Sequence, residues 1–554
     1  MPIDTDWFDT LCDMRDLASR DTLEVDGIEI ELPVASSGNR YRLRQWQRRV
    51  LTDIMPDSVQ ADAPERTLFR VLYALTTSQA TQTTIEEALA GDLLPLEDVF
   101  RAQTQTKRKK MTLAFHVLAV KAADSKEREA KGFTERTLLL LCRRPDGSVN
   151  AELLHDLIEQ FRRAPDELDL AQKTLLDTLY EGWTPELEPT FALPQAASLP
   201  EVPFDGEAAT LFQEDVRTLI DAALPPADFF HQLNLLLALH LGLYQPRVAA
   251  LLNPQMDFLF QDAEQPDPRN LRDLDTWIAQ HSQHHPFHGS LHCRAPDPDL
   301  RTVTLYTPAR ESFDRLTGEL ATFHFHVLLL VQLRRLGEAW FAHRWDQLDA
   351  WRADRLDADT RLALTERVRG PREFLEEMQA SPDYRLFIDR ALTALCVRFV
   401  DHQIAETERQ HALAEARAAV SPLHAIRRLY ERYNIQNSSN KSNSRAHRQG
   451  ISITSGLLRQ GQYGLVQGRQ RVGPFFEVGA GLLPLLLLLA VGSGQEKVPV
   501  ATFWNRLARY GLRFDAEERG YVLERLRSMG VYERYSDAGE AAYVRNLITT
   551  TRAA

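Results

Sequence analysis

Residues 497–547 read KVPVATFWNRLARYGLRFDAEERGYVLERLRSMGVYERYSDAGEAAYVRNL, and their spacing decides the fold of the C-terminal end. Lys497-Val498-Pro499 turns the chain, after which Val500, Phe503, Trp504 and Leu507 recur at i, i+3, i+4 and i+7. That period predicts an amphipathic helix, closed by Gly511. Asp515 and Glu518 stand at capping-box spacing ahead of Val522, Leu526 and Met529, the apolar stripe of a second helix that Gly530 ends. Residues 531–535, the turn Ser536-Asp537-Ala538-Gly539 and residues 542–547 read as a β-hairpin. Counting the apolar run just upstream as a helix, three helices and a terminal hairpin make a winged-helix-like module, related to the helix-turn-helix folds that place a helix in the DNA major groove.

Upstream, residues 478–491 are almost wholly apolar. The run is shorter than the roughly 20 residues a bilayer requires and contains Gly479, Gly481 and Pro484, so a buried helix is expected and no membrane partner. Arg445, Arg448, Arg459, Arg469 and Arg471 alternate with Gly and Gln in the stretch before it. Residues 436–444, QNSSNKSNS, have nothing to bury and read as a tether. Earlier still, residues 383–420 lack Gly and Pro and predict one or two long helices that Ser421-Pro422 stops. Residues 229–243 and 321–336 are apolar nearly all round and predict buried helices. Between them, residues 290–294 and 302–306 are expected to pair as a short hairpin. Near the start, Val25, Ile28 and Ile30 around Asp26-Gly27 predict another.

The resulting fold class is mainly α: a multi-domain helical body with short β-hairpins and the C-terminal module. The divisions fall at 1–183 (helical, with the small hairpin), 184–205 (Pro-rich linker), 206–434 (central helical domain), 435–445 (flexible linker) and 446–554 (basic C-terminal domain). The chain has 554 residues and a formal net charge of −13, yet from residue 435 onward 16 Lys and Arg face 9 Asp and Glu. A basic tail on an acidic body points to a polyanion partner for the tail or to docking of one on the other. Cys12, Cys142, Cys293 and Cys396 are too scattered for a disulfide framework or a metal knuckle and read as reduced core residues. The opening residues lack a secretory pattern, so a cytoplasmic location is expected.

Arg506, Arg509, Arg513, Arg519, Arg525, Arg527, Arg534 and Arg545 are the candidate phosphate contacts of the module, with double-stranded DNA as the candidate partner. Glu517, Glu518, Glu524, Asp537 and Glu540 oppose that reading and leave protein contact as the other use of the fold. The string Tyr510-Gly511-Leu512-Arg513-Phe514-Asp515, with Ser536-Asp537-Ala538-Gly539-Glu540-Ala541-Ala542-Tyr543-Val544, resembles the ending of the DptG/DndG family, a subunit of DNA phosphorothioation-dependent restriction systems. The resemblance covers about the last hundred residues. It implies a subunit that joins others, at least one an ATPase, against DNA lacking the host's phosphorothioate mark, and it transfers no catalytic residue.

No G-x-x-x-x-G-K-[ST] loop, H-E-x-x-H or G-x-S-x-G is present, so no intrinsic catalytic activity and no cofactor are expected. Gly492-Ser493-Gly494 lacks the rest of a phosphate loop. The competing site is His281, His284, His285, His288 and His292 with Cys293, an imidazole density that would serve a metal-dependent nuclease. A free-standing winged-helix regulator is the third reading. His231, His240, His324 and His326 lie in apolar helices and read as hydrogen-bonded core or groove residues. Lys107-Arg108-Lys109-Lys110 reads as a solvated face, and Trp340, Phe341, Trp345 and Trp351 as core packing.

Overall fold

The computed structural model describes residues 9, 22–31, 141–144, 149–161, 206–260, 271–282, 291–295, 307–347, 370–404, 406–430, 432, 458–459, 463–469, 473–535 and 542–546. Over these residues the protein is mainly helical with a few short strands. The expected N-terminal hairpin forms: β1 (Thr22–Val25) pairs antiparallel with β2 (Ile28–Glu31), Val25 opposite Ile28. Asp26 and Gly27 hold φ angles of 53° and 78°, the left-handed pair that a tight two-residue turn demands and that Asp-Gly tolerates. Farther on, α1 (Ala151–Phe161) starts at Asn150, whose Oδ1 accepts the Leu153 amide at 3.2 Å. The Asn150 side chain also donates to Gln213 at 2.8 Å, tying α1 to α2 (Gly206–Asp221).

Two long helices form the centre. They are α3 (Pro226–Phe260) and, after α4 (Leu271–Ser282) and β3 (Leu291–His292), α5 (Thr307–Gln347). Each extends well beyond its expected apolar run, and the 41 residues of α5 span roughly 60 Å at the helical rise. Helix α3 carries Pro246 and Pro254 in its interior, and the Pro254 carbonyl takes the indole N–H of Trp277 from α4 at 2.9 Å. The segment His231–Leu259 is the one described helix long and apolar enough to cross a membrane, and 88% of its apolar window is buried inside the fold.

The helices α6 (Pro371–Ala380), α7 (Pro382–Gln403), α8 (Glu406–Arg417) and α9 (Pro422–Tyr430) close one side of the body. Two begin with the same Ser-Pro device: Ser381 Oγ accepts the Tyr384 amide and Ser421 Oγ the His424 amide, each at 3.2 Å. The long Gly- and Pro-free stretch is therefore two helices, parted where Ile404 turns extended. The N-terminal hairpin packs on α5 and α7, and Asp26 pairs with Arg390 of α7. Trp340 packs as expected, its ring 5.8 Å from Tyr384 and 5.2 Å from Phe387.

At the C-terminal end, β4 (Val466–Arg469) and β5 (Gly473–Phe476) form a hairpin. Then follow α10 (Leu483–Val491), β6 (Lys497–Pro499), α11 (Val500–Arg509), β7 (Leu512–Arg513), α12 (Ala516–Ser528), β8 (Tyr532–Arg534) and β9 (Ala542–Arg545). The apolar run is the buried helix α10, packed on α2 and α3. Just before it the chain passes so near Tyr463 that a Cβ on Gly481 would lie 2.1 Å from the ring, which explains the glycine. Strands β6, β9 and β8 form an antiparallel sheet in that order. Lys497-Val498-Pro499 was expected as a turn and is a strand, because Val498 lies opposite Val544 and both are buried.

The expected hairpin of 290–294 with 302–306 is corrected at its first half: β3 pairs in parallel with β7, Leu291 opposite Leu512 and His292 opposite Arg513. Arg294 bridges Glu477 in turn. Leu291 and Leu512 are both buried, and a partner from the far end of the chain leaves no local turn signal to read. Residues 302–306 lie outside the described residues, as do both expected linkers, Lys107–Lys110 and Trp351. The tail expected as a tethered unit shares its core with the body: one apolar cluster runs from Val25 through α3 and α5 to Val544.

Candidate nucleic-acid interface

Asp515 stops the chain after β7 and starts α12 by accepting the Glu518 amide on Oδ1 at 2.8 Å. This is half of the expected capping box. The other half is absent because Glu518 turns inward: its Oε2 accepts the Ala295 amide at 2.6 Å and its Oε1 lies 3.6 Å from Arg294 Nε. Arg294 is 1% exposed and also reaches Glu477 at 3.4 Å. One buried guanidinium between two carboxylates thus fastens the first turn of α12 to the strand that follows α4. A second fastening lies nearby: Tyr510 and His240 both reach Asp215 Oδ2 at 2.7 Å, joining the end of α11 to α2 and α3. Burial raises the Tyr510 hydroxyl well above the ordinary tyrosine range, helped by the Asp215 charge.

The eight candidate arginines separate into three groups. Arg506, Arg509 and Arg545 are engaged within the protein. Arg506 donates to the carbonyls of Ala490 and Val491 at the end of α10, Arg509 pairs with Glu214 at 2.8 Å, and Arg545 pairs with Glu496 at 2.6 Å and Glu533 at 2.9 Å. Arg519 lies over the Trp504 ring at 5.4 Å and Arg527 over Tyr532 at 5.2 Å, which steadies each guanidinium while leaving it exposed. Arg513, Arg525 and Arg534 are exposed and have no carboxylate partner among the described residues.

Helix α12 buries Glu518, Val522 and Leu526. At about 100° per residue its opposite side carries Gly520, Glu524 and Arg527, while Arg519 and Arg525 flank the buried stripe. The outward side is therefore mixed in charge, and the arginines with no carboxylate partner among the described residues, Arg513, Arg525 and Arg534, sit on the edges of the module. On the sheet, β-alternation sends Val498 and Val544 inward and puts Lys497, Glu533, Tyr543 and Arg545 on the other face. There Lys497 Nζ lies 5.1 Å from the Tyr535 ring and 5.2 Å from Tyr543. The Tyr535 hydroxyl donates to Glu533 at 2.7 Å and, with Arg545 and Lys497, holds that carboxyl below the usual range.

Of the histidine cluster, His292 and Cys293 have described side chains. His281 ends α4, and the side chains of His281, His284, His285 and His288 lie outside the described residues. His292 and Cys293 follow one another in extended chain, so their side chains leave on opposite faces. Cys293 is buried, donates its thiol to the Leu291 carbonyl at 3.2 Å, and burial pushes that thiol far above the ordinary range, the opposite of what a thiolate ligand needs. Among the described residues no group of three or more His, Cys, Asp or Glu side chains is placed to hold a metal ion. Cys142 and Cys396 are likewise buried free thiols.

Of the four helix histidines, His240 and His326 are buried and paired as expected, His326 Nδ1 lying 2.9 Å from Asn253 Oδ1. His231 is instead exposed, edge-on to Tyr463 at 4.9 Å, because it sits in the first turns of α3 where the helix emerges. The His324 side chain lies outside the described residues. Sequence reading missed both polar fastenings. Arg294 in the apolar setting of Cys293 and Ala295 was the one available sign of the first, and nothing local announces the second. Comparison of the chain with protein-family models gives no match, and comparison with curated proteins gives none either.

Proposed function

We propose that the chain is a non-catalytic subunit of a DNA-targeting restriction assembly, in which the helical body scaffolds partner subunits, an ATPase among them, and the C-terminal module touches double-stranded DNA. The order α10, β6, α11, α12, β8, β9, with the two-residue β7 between α11 and α12 pairing outside the module and β6 beside β9, fits the connectivity of a winged helix, and that reading of the module rests on it. The observation that carries the DNA contact is the set of exposed arginines without carboxylate partners among the described residues, Arg513, Arg525 and Arg534, on such a module. Phosphate contacts by arginine supply most non-specific affinity for a duplex. The resemblance of residues 510–515 and 536–544 to the DptG/DndG ending supplies the phosphorothioation-dependent setting.

The module is fastened into the body, so truncation of the tail would expose core and substitution is the sound test. Duplex DNA binding by the full chain should weaken when Arg513, Arg525 and Arg534 are all changed to Gln. Unchanged binding, or none by either protein while partner subunits still co-purify, would reassign the module to protein contact, which the exposed Glu517 and Glu524 of α12 would then serve.

A further inference from the structure

A cleft of about 470 Å³ opens between α2 and the C-terminal module, well inside the size range of small-ligand sites. Its two walls differ in chemistry. On one side the chain leaves α10 through Gly492-Ser493-Gly494-Gln495, a turn in which the backbone amides of Ser493 and Gly494 have no protein acceptor among the described residues. Arg506 and Arg509 border the same loop, and each spends one Nη on the protein. Successive free amides in a glycine-rich turn, beside guanidinium forks, form the kind of concavity that receives a phosphate.

The facing wall presents Glu214 and Asp215. Asp215 has a side chain only 6% exposed and receives both Tyr510 and His240 through Oδ2. Its Oδ1 takes neither of them, and a carboxylate oxygen held in place by two donors on its twin is a fixed acceptor for a hydroxyl. Donors at one end and carboxylate acceptors at the other match one ligand chemistry: a phosphate ester carrying a hydroxylated sugar. We propose that this cleft binds a free nucleotide or sugar phosphate, its phosphate on the Ser493 and Gly494 amides beside Arg506 and Arg509, and its sugar hydroxyls on Asp215. The site lies apart from Arg513, Arg525 and Arg534 and does not depend on DNA binding.

Calorimetric titration of the full chain with AMP, ribose 5-phosphate and inorganic phosphate tests it. Gly494→Asp is the main variant: a Cβ there meets nothing within 4 Å and φ is not in the left-handed region, so the fold should persist while the new charge repels phosphate. Arg509→Gln is the second. The expected result is saturable binding of AMP, at least tenfold weaker in both variants, with melting unchanged in Gly494→Asp, and at least tenfold weaker binding of inorganic phosphate. Equal binding of ribose 5-phosphate would identify the sugar phosphate as sufficient, and its failure beside AMP would assign the site to nucleotides. Absence of saturable binding by all three, affinity unmoved by Gly494→Asp, or inorganic phosphate bound as tightly as the esters would each overturn the proposal.

Discussion

On the inward side of the C-terminal module, Glu518, Tyr510 and Arg509 meet Arg294, Asp215 and Glu214 of the body; at its exposed edges, Arg513, Arg525 and Arg534 meet no carboxylate among the described residues. The two sides draw on the same few residue types within one short stretch of chain. What separates them is burial. An ion group excluded from water is costly unless its charge is matched, so the inward charges sit among partners, Arg294 between two carboxylates and Asp215 with two donors on one oxygen. An exposed arginine pays little to remain single and stays free to meet a polyanion. The difference makes the inward contacts a structural fastening and leaves the single arginines available to a polyanion.

The largest expected effect breaks the inward side. Arg294→Ala leaves Glu477 and Glu518 buried without their cation and should cost about 3–5 kcal/mol of unfolding free energy, read by urea denaturation. Replacing all three residues by apolar ones of similar volume should cost much less, and equal losses from the single and triple changes would show that the charges themselves matter little. A second test contrasts a buried histidine with the surface. Burial, with Arg427 nearby, lowers the His326 pKa to about 3, so between about pH 6.5 and 3 the unfolded chain binds a proton that the folded one refuses. Stability should therefore be full above pH 6.5 and fall as pH drops toward 3, by several kcal/mol in all. His326→Gln should flatten that fall, and an identical pH profile for the variant would refute the assignment.

Smaller effects sharpen the boundary between the sides. Asp515→Ala removes the cap of α12 and should cost about 1 kcal/mol by the same denaturation measurement. The smallest belongs outside: Arg513→Gln with Arg525→Gln and Arg534→Gln should leave stability within about 0.5 kcal/mol. A larger loss would place those arginines in the structural set after all.

The sequence announced what is local. The Asp26-Gly27 turn, the stripes Val500–Leu507 and Val522–Met529, the break at Ser421-Pro422 and the hairpin of β8 with β9 follow from period and turn chemistry over a few residues. Leu291 pairing with Leu512, Arg294 with Glu518, and Asp215 with Tyr510 join segments far apart in the chain, and no periodicity encodes such a partner. The same limit applied to the candidate site. Eight arginines looked alike as charges, and only the fold distinguishes Arg509, paired with Glu214, from Arg513, which has no carboxylate partner among the described residues. Glu518 was legible as a capping residue and proved to be a buried anchor.

The most direct test of the exposed edges as a DNA contact is a salt series of duplex binding by the full chain and by the Arg513, Arg525 and Arg534 triple Gln variant. Each phosphate contact contributes roughly 0.9 to the slope of log K against log salt, so the account predicts a slope shallower by about 2–3 in the variant, with unfolding unchanged. Equal slopes for the two proteins would contradict it.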